Sequence, residues 1–183
     1  MDVDEAIGLA LDVAERGLIA GEMPIGAVVL AGEEILGEAY TQEQALGLRI
    51  VHADLLAMEQ ADAALGFSRT QEPLTLAVSI EPCLMCLGAA VTLGVKRVWF
   101  ALESPNDGAV DLLTRWHPPV EQAFFAKPVE VRGGLHHERA QALFAAYASG
   151  TGPLGHGLGP GGSPRVGLPI HAQAPRSRIR PRP

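Results

Sequence analysis

Two short segments, both at predicted helix starts, place potential metal ligands 31 residues apart in the chain. His52 follows a loop and begins a helix-patterned segment, whereas Cys83 and Cys86 form a Cys-x-x-Cys motif just after a buried apolar run. Cysteines with this spacing at a helix start lie on one face, where the positive end of the helix favours their thiolates. If the two helices pack side by side on one sheet, their N-termini and these three side chains lie together.

The rest of the chain alternates between helix and strand patterns. Apolar spacing and turn signals predict helices over residues 4–18, 52–65, 83–93, 111–116 and 137–148. Short apolar runs predict strands over residues 25–31, 35–40, 74–80, 96–101 and 129–131, with the first two joined as a hairpin and 41–51 left as a loop. Strands that alternate with helices indicate an α/β sandwich with a partly parallel sheet.

Charge divides the chain near Gly150. Residues 1–150 hold nine basic and 21 acidic side chains, a net charge of −12, whereas residues 151–183 hold five arginines and no acid. Seven glycines and seven prolines among those last 33 residues make a composition that does not repay the entropy of ordering. We therefore predict one folded domain over 1–150 and a disordered tail over 151–183. The tail is either a solvated extension or a weak arm for nucleic acid or an acidic partner.

Composition also argues against several classes of protein. Two cysteines this close together do not form the framework of a secreted disulfide scaffold. The sequence contains no run that approaches the ~20 apolar residues of a membrane span, and the first six residues are acidic where a signal peptide is basic. We therefore expect a cytoplasmic protein. The acidity of residues 1–150 disfavours a broad phosphate-binding surface.

His52, Cys83 and Cys86 fit a catalytic zinc site, which has three protein ligands and an open fourth position. Such a zinc ion makes hydroxide available near neutral pH, and the reaction then needs a proton carrier that is not a ligand. Asp54, two residues after His52, is the carboxylate so placed. A redox pair and two buried structural cysteines are the alternatives, although a redox pair does not need a distant His-Ala-Asp.

The segments His52-Ala53-Asp54 and Pro82-Cys83-Leu84-Met85-Cys86 resemble the H-x-E…P-C-x-x-C signature of zinc nucleobase deaminases. Segments 22–28, 76–83 and 96–101 also look like strands of the bacterial tRNA adenosine deaminases. The resemblance, to the cytidine deaminase-like superfamily and its branch of tRNA adenosine, nucleoside and guanine deaminases, covers about residues 4–149. It implies a three-layer α/β/α sandwich around a five-stranded mixed sheet, bound Zn²⁺, a homodimer, and Asp54 as the catalytic proton carrier.

Three positions depart from that family pattern. Asp54 stands where the family has Glu, and its carboxyl group reaches about 1.5 Å less far, a displacement large enough to affect rate. Thr41 stands where tRNA adenosine deaminases have an Asn that reads the purine edge, and a hydroxyl cannot replace the paired donor and acceptor of an amide. Residues 46–51 are more apolar than the corresponding family segment and lack the proline that the family has just before the ligand histidine.

The resemblance also suggests five substrate contacts. Thr41 is predicted to form a hydrogen bond with the base, and Trp116 is predicted to stack on it. The backbone of Ala53 is predicted to lie beside the attacking water. Asp107 is predicted to face the pocket from the loop after the fourth strand, and Glu81 either lines the site or caps the cysteine helix. Ordinary turn chemistry is the alternative for Asp107, and core packing is the alternative for Trp116.

The residues and the resemblance together predict a zinc-dependent hydrolytic deaminase. We expect its substrate to be a small nucleobase, nucleoside or related heterocycle. Deamination of the wobble adenosine in tRNA is the alternative within this class, disfavoured by the acidic domain. A zinc-binding protein of the same fold that has lost turnover is the alternative from another class.

Overall fold

A computed structural model describes residues 1–66, 70, 72–122 and 127–150 of the chain. The predicted tail, residues 151–183, lies outside the described residues. In chain order the elements are α1 (Val3–Ile19), β1 (Gly26–Ala31), β2 (Glu34–Tyr40), α2 (Glu43–Leu46), α3 (Ala53–Leu65), β3 (Leu74–Ile80), α4 (Leu84–Leu93), β4 (Arg97–Leu102), α5 (Leu112–Arg115), a 3-10 turn (Val120–Gln122), β5 (Glu130–Arg132) and α6 (His137–Ala148).

The five strands form one mixed sheet in the order β2-β1-β3-β4-β5. The second strand in this order, β1, runs antiparallel to both β2 and β3, whereas the central strand β3 is parallel to β4 and β4 is parallel to β5. Because parallel strands need a crossover connection, α4 joins β3 to β4 across one face of the sheet. The five-stranded mixed sheet expected from the family resemblance is confirmed.

Helices cover both faces of this sheet because side chains alternate along each strand. Ala27 and Val29 of β1 pack into the core under α3 and α4. Val28 and Leu30, the alternating residues of the same strand, pack into the core under α1 and α6. The result is the predicted three-layer α/β/α sandwich, with α3 and α4 together on one side.

Two glycines allow helices to approach the sheet closely. A Cβ atom on Gly26 would lie 2.3 Å from the backbone nitrogen of Ala14 in α1. A Cβ atom on Gly37 would lie 2.2 Å from the carbonyl oxygen of Ala57 in α3. Glycine inside a strand often marks such a close backbone approach, so both positions hold a layer at its observed spacing.

The sequence predictions agree with the observed elements at most positions. The bounds of β3 and α6 are as predicted, and the other predicted helices and strands differ from the observed ones by one or two residues. Residues 41–51, predicted as a loop, contain the short helix α2. Cys83 is the N-cap of α4, and Pro82 directly precedes it. Over the described residues, the helices are too short or too polar to cross a bilayer.

Candidate metal centre and active site

The helices α3 and α4 bring the predicted ligands to the same edge of the sandwich. His52 is the N-cap of α3, and Cys83 is the N-cap of α4; both have extended backbone conformations. Neither side chain makes a capping hydrogen bond to its own helix. Both side chains are therefore available to a shared partner, and Cys86 joins them from the first turn of α4.

The three ligand atoms form a nearly equilateral triangle. The Sγ atoms of Cys83 and Cys86 lie 3.6 Å apart, and the Nδ1 atom of His52 lies 3.7 Å from the first and 3.6 Å from the second. A tetrahedral zinc ion, with bonds of about 2.3 Å to sulfur and about 2.0 Å to nitrogen, holds such atoms about 3.5 to 3.8 Å apart. The residues present therefore fit a zinc ion.

The chemistry of the two cysteines also calls for a cation. Both are free thiols, and a sulfur separation of 3.6 Å is far longer than the ~2.05 Å of a disulfide. Burial raises the pKa of the Cys86 thiol far above its usual range, and the neighbouring Asp54 and Cys83 add to the rise. A coordinated metal ion reverses this effect, because it holds the thiol in its deprotonated form.

Asp54 lies in the first turn of α3 and is buried, with 4% of its surface exposed. Burial raises its pKa to about 6, and the charge of Asp107 acts in the same direction. Hydrogen bonds from its own backbone N–H and from the Cys86 thiol, together with the charge of His52, lower it. A carboxyl group whose pKa is brought toward neutrality can take up and release protons under ordinary conditions.

Comparison with known proteins assigns this site to a family. A family model described as the cytidine and deoxycytidylate deaminase zinc-binding region matches residues 2–102, more than half of the chain. The chain belongs to this deaminase family. The metal ion that fits the triangle of His52, Cys83 and Cys86 is therefore zinc.

Relatives of this deaminase-family chain carry two kinds of name. This chain is 33% identical to the tRNA-specific adenosine deaminase of Bacillus subtilis over 75% of its own length and 83% of that protein. It is 39% identical to the tRNA(Ile)-lysidine synthase of Deinococcus deserti over 59% of this chain, yet it spans only 20% of that protein's length.

Solved structures also share the fold. The guanine deaminase of Nitrosomonas europaea superimposes with a TM-score of 0.65 at 23% identity, over 81% of this chain and 85% of that one. A structure from studies of A-to-I editing by tRNA:A34 deaminases gives a TM-score of 0.62 at 26% identity, over 76% and 98% of the two chains. The deaminase fold therefore extends well beyond the segment that the family model matches.

The segment before His52 is held by two carboxylates. Glu22, which is 2% exposed, accepts hydrogen bonds from the backbone nitrogens of Gln44 (3.1 Å) and Ala45 (2.7 Å) in α2. The α2 residue Glu43 places a carboxylate oxygen 3.8 Å from Nε2 of His52. Because Nδ1 of His52 faces the thiols, its second ring nitrogen is the one turned toward Glu43, an arrangement that favours metal ligation.

Thr41 belongs to the same region. Its side chain is buried, and its hydroxyl lies 3.3 Å from both the Glu43 carboxylate and the carbonyl oxygen of Val51. Val51 directly precedes His52 in the chain, and the Glu43 carboxylate lies 3.8 Å from its Nε2 atom. Thr41 therefore ties the end of β2 to the segment that carries the ligand.

Glu81 lies between β3 and the cysteine helix, and the hydrogen bonds that its side chain makes to described residues are not to α4. Its two carboxylate oxygens instead accept hydrogen bonds from the backbone nitrogens of Ser104 and Val110, both at 3.1 Å. Asp107 lies between these two residues, accepts a hydrogen bond of 2.5 Å from the Ser104 hydroxyl, and acts electrostatically on Asp54. Asp107 therefore takes part in the turn and also lies close enough to the site to affect Asp54.

The remaining predicted contacts lie at different depths. Ala53 is fully buried at the start of α3, directly after the ligand His52. Trp116 packs on an apolar cluster with Leu87 and Leu113, and it lines a cavity of about 560 Å³ beside α4. The ligands are not among the described residues that line this cavity, although Leu84, next to Cys83, is.

The sequence did not predict the role of Glu22, nor did it predict that Glu81 binds the backbone nitrogens of Ser104 and Val110. Glu22 lies in a segment that resembles the family's first strand, but its two partners are 22 and 23 residues away. The available signal was that Glu22 lies just before an apolar strand with no basic residue next to it in the sequence. A glutamate that is buried without a cation needs backbone N–H donors.

Proposed function

We propose that this chain is a zinc-dependent hydrolytic deaminase that converts an amino group on a nucleobase, nucleoside or related heterocycle to a carbonyl and releases ammonia. The observation that carries the proposal is the triangle of His52, Cys83 and Cys86 with buried Asp54 beside it. Three ligands leave the fourth position of a tetrahedral ion open, as catalysis requires.

The chain's own residues supply the proton transfers. Zinc, when bound, supplies a Lewis acid that makes a water-derived nucleophile available near neutral pH. Asp54 accepts a proton as the new C–O bond forms at the amine-bearing ring carbon. It passes that proton to the ring nitrogen, then takes the remaining proton from the new hydroxyl group and gives it to the departing amine, so that the C–N bond breaks, the carbonyl forms and neutral ammonia leaves.

The surroundings of the site favour a small heterocycle over a polyanion. Leu46, Leu48 and Ile50, in the segment that leads to His52, are all more than half exposed, and Leu84 is 65% exposed next to Cys83. Arg49 is the basic residue of that segment. Residues 1–150 carry a net charge of −12, which opposes broad contact with phosphates.

Deamination of the wobble adenosine in tRNA is the second candidate. The 33% identity to the tRNA-specific adenosine deaminase of Bacillus subtilis, over most of both chains, favours it. In that case the five arginines of residues 151–183 would supply the positive charge that the domain lacks. A zinc protein without turnover remains the alternative of another class.

One experiment separates these candidates. The purified zinc-loaded chain is offered a panel of free bases, nucleosides and a tRNA anticodon stem-loop, and ammonia is measured for each. Release from a base or nucleoside supports the proposal. Inosine formed only in the RNA, with a rate that falls steeply with salt, would replace it with the second candidate. No release from any member, in the wild type and in Asp54→Glu, would favour a protein without turnover.

Two further expectations belong with this proposal. The homodimer implied by the family resemblance predicts a molar mass near twice the 19.3 kDa of the chain in light scattering. A cytoplasmic location is expected from the sequence, and a fluorescent fusion in the source cell would test it.

A further inference from the structure

We propose that Glu81 is a positioning residue for the metal ligand Cys83, acting through the segment of residues 104–110. The inference deepens the proposed function but rests on it only for the presence of zinc, not for turnover. It gives Glu81 a role different from a substrate contact or a helix cap.

The carboxylate of Glu81 bridges the two ends of that segment. One oxygen accepts a hydrogen bond from the backbone nitrogen of Ser104, and the other accepts one from the backbone nitrogen of Val110. Backbone hydrogen bonds to an ionised acceptor are stronger than neutral ones. The six-residue step between the two donors is thus closed into a fixed turn by one side chain.

This turn lies directly on the ligand. Gly108 pairs with Cys83 in an isolated antiparallel bridge, and the backbone nitrogen of Ala109 donates to the carbonyl oxygen of Pro82 at 3.0 Å. The backbone just before Cys83 is therefore held by the segment that Glu81 closes, and Cys83 itself pairs with that segment. Cys83 has no side-chain cap of its own to fix it.

The contact between the turn and Glu81 leaves no spare room. A Cβ atom on Gly108 would lie 2.3 Å from Oε2 of Glu81 and 2.6 Å from the carbonyl oxygen of Ser104. Any larger residue at 108 must therefore push the Glu81 carboxylate or the turn aside. Gly108 therefore leaves free the space that the Glu81 carboxylate occupies, and both residues are needed for this turn.

The same turn also presents Asp107 to the site. The Ser104 hydroxyl donates to the Asp107 carboxylate, and Asp107 in turn acts electrostatically on Asp54. Glu81 therefore fixes the backbone segment that pairs with Cys83 and carries Asp107.

Two variants test the proposal on the whole chain. Glu81→Gln keeps the size of the side chain but turns an amide donor toward one of the two backbone nitrogens. Gly108→Ala keeps Glu81 and displaces the turn. For both variants we expect zinc affinity, measured by competition with a chelating dye, to fall about 10-fold or more. We also expect the absorption bands of the cobalt(II)-substituted protein to change, because they report ligand geometry at the ion.

Glu130→Gln is the matched control. Glu130 lies on β5, where its carboxylate accepts a hydrogen bond from Trp99 and pairs with Arg97 and Arg132. Its loss should lower the melting temperature while leaving zinc affinity and the cobalt spectrum unchanged. This control separates an effect on the ligand from a general loss of stability.

Hydrogen exchange identifies the bonds themselves. In Glu81→Gln the amide hydrogens of Ser104 and Val110 should exchange faster than in the wild type. Wild-type zinc affinity and an unchanged cobalt spectrum in both variants would overturn the proposal. So would changes that Glu130→Gln reproduces. Zinc binding is read without substrate, so a wild type that deaminates nothing would refute the proposed function and leave this inference standing.

Discussion

The Nδ1 atom of His52 lies 3.6 Å from the Sγ atom of Cys86, although the two residues are 34 positions apart in the chain. Residues 66–80 separate the helix that carries His52 from the turn that carries Cys83. The two helix starts meet because α3 and α4 share one face of the sheet. A zinc ion between them cross-links elements that are distant in sequence.

Zinc removal should therefore destabilise the whole domain. A ligand that binds the folded state alone adds about 2.7 kcal/mol when its free concentration is 100 times Kd. We expect the melting temperature to fall by several degrees when a chelator is added, as scanning calorimetry would measure. In Cys86→Ser the chelator should have little further effect.

Val91→Ala is the control for that measurement. Val91 is buried in α4 but is not a ligand, so its truncation should lower the melting temperature while the response to chelator persists. A wild type whose melting temperature ignores the chelator would contradict a structural contribution of the ion.

Asp54→Asn should abolish most ammonia release. The amide cannot take up the proton that the mechanism assigns to the Asp54 carboxyl group, and general acid–base catalysis is worth about 10² to 10⁴ in rate. Steady-state kinetics with the best substrate of the panel would measure the loss. Asp62→Asn, on an exposed turn of the same helix, is the matched control. Unimpaired turnover in Asp54→Asn would show that another group moves the protons.

Glu22→Gln should destabilise the fold and loosen the segment before His52. The carboxylate of Glu22 is buried and accepts two backbone hydrogen bonds. The amide would leave one buried N–H without an acceptor, which costs about 1–3 kcal/mol. Urea unfolding would measure the change, with the exposed Glu59→Gln as control. Equal midpoints for the two variants would argue against this role.

Two glycine substitutions should have opposite effects on stability. Gly8→Ala lies in α1 with open space around the added Cβ atom, so helix propensity should stabilise the fold by about 0.5–1 kcal/mol. Gly26→Ala would press its Cβ atom onto the backbone of α1, and such overpacking costs about 1–3 kcal/mol or more. Chemical denaturation of both variants would check the signs, and a stable Gly26→Ala would mean that the layers can separate.

The elements that sequence predicted well are those whose signals are local. The buried strand 74–80 and the closing helix 137–148 have continuous patterns with clear ends, and their bounds agree with the structure. The short helix α2 has no such signal, because its N-cap Gln42 makes no side-chain hydrogen bond. Glu22, more than twenty residues earlier, stabilises it instead.

The same division runs through the candidate site. The spacing of His52, Cys83 and Cys86 at two helix starts predicted that they meet if their helices pack side by side on one sheet, and metal ligands follow a few such patterns. The positions of Thr41 and Glu81 depend on which backbone groups surround them, and those groups come from residues 51, 104 and 110. Such partners become visible only once the chain is folded.

Thirty residues lie between His52 and Cys83, and the described ones lead away from the metal centre and back to it. The helix α3 leads outward from His52 and ends before the exposed Gly66, and β3 begins at Leu74 and returns to Cys83. The last turn of α3 and the start of β3 therefore lie a full helix or strand away from the ligands. A spectroscopic label attached at the exposed end of α3 should leave the chemistry at the opposite edge undisturbed.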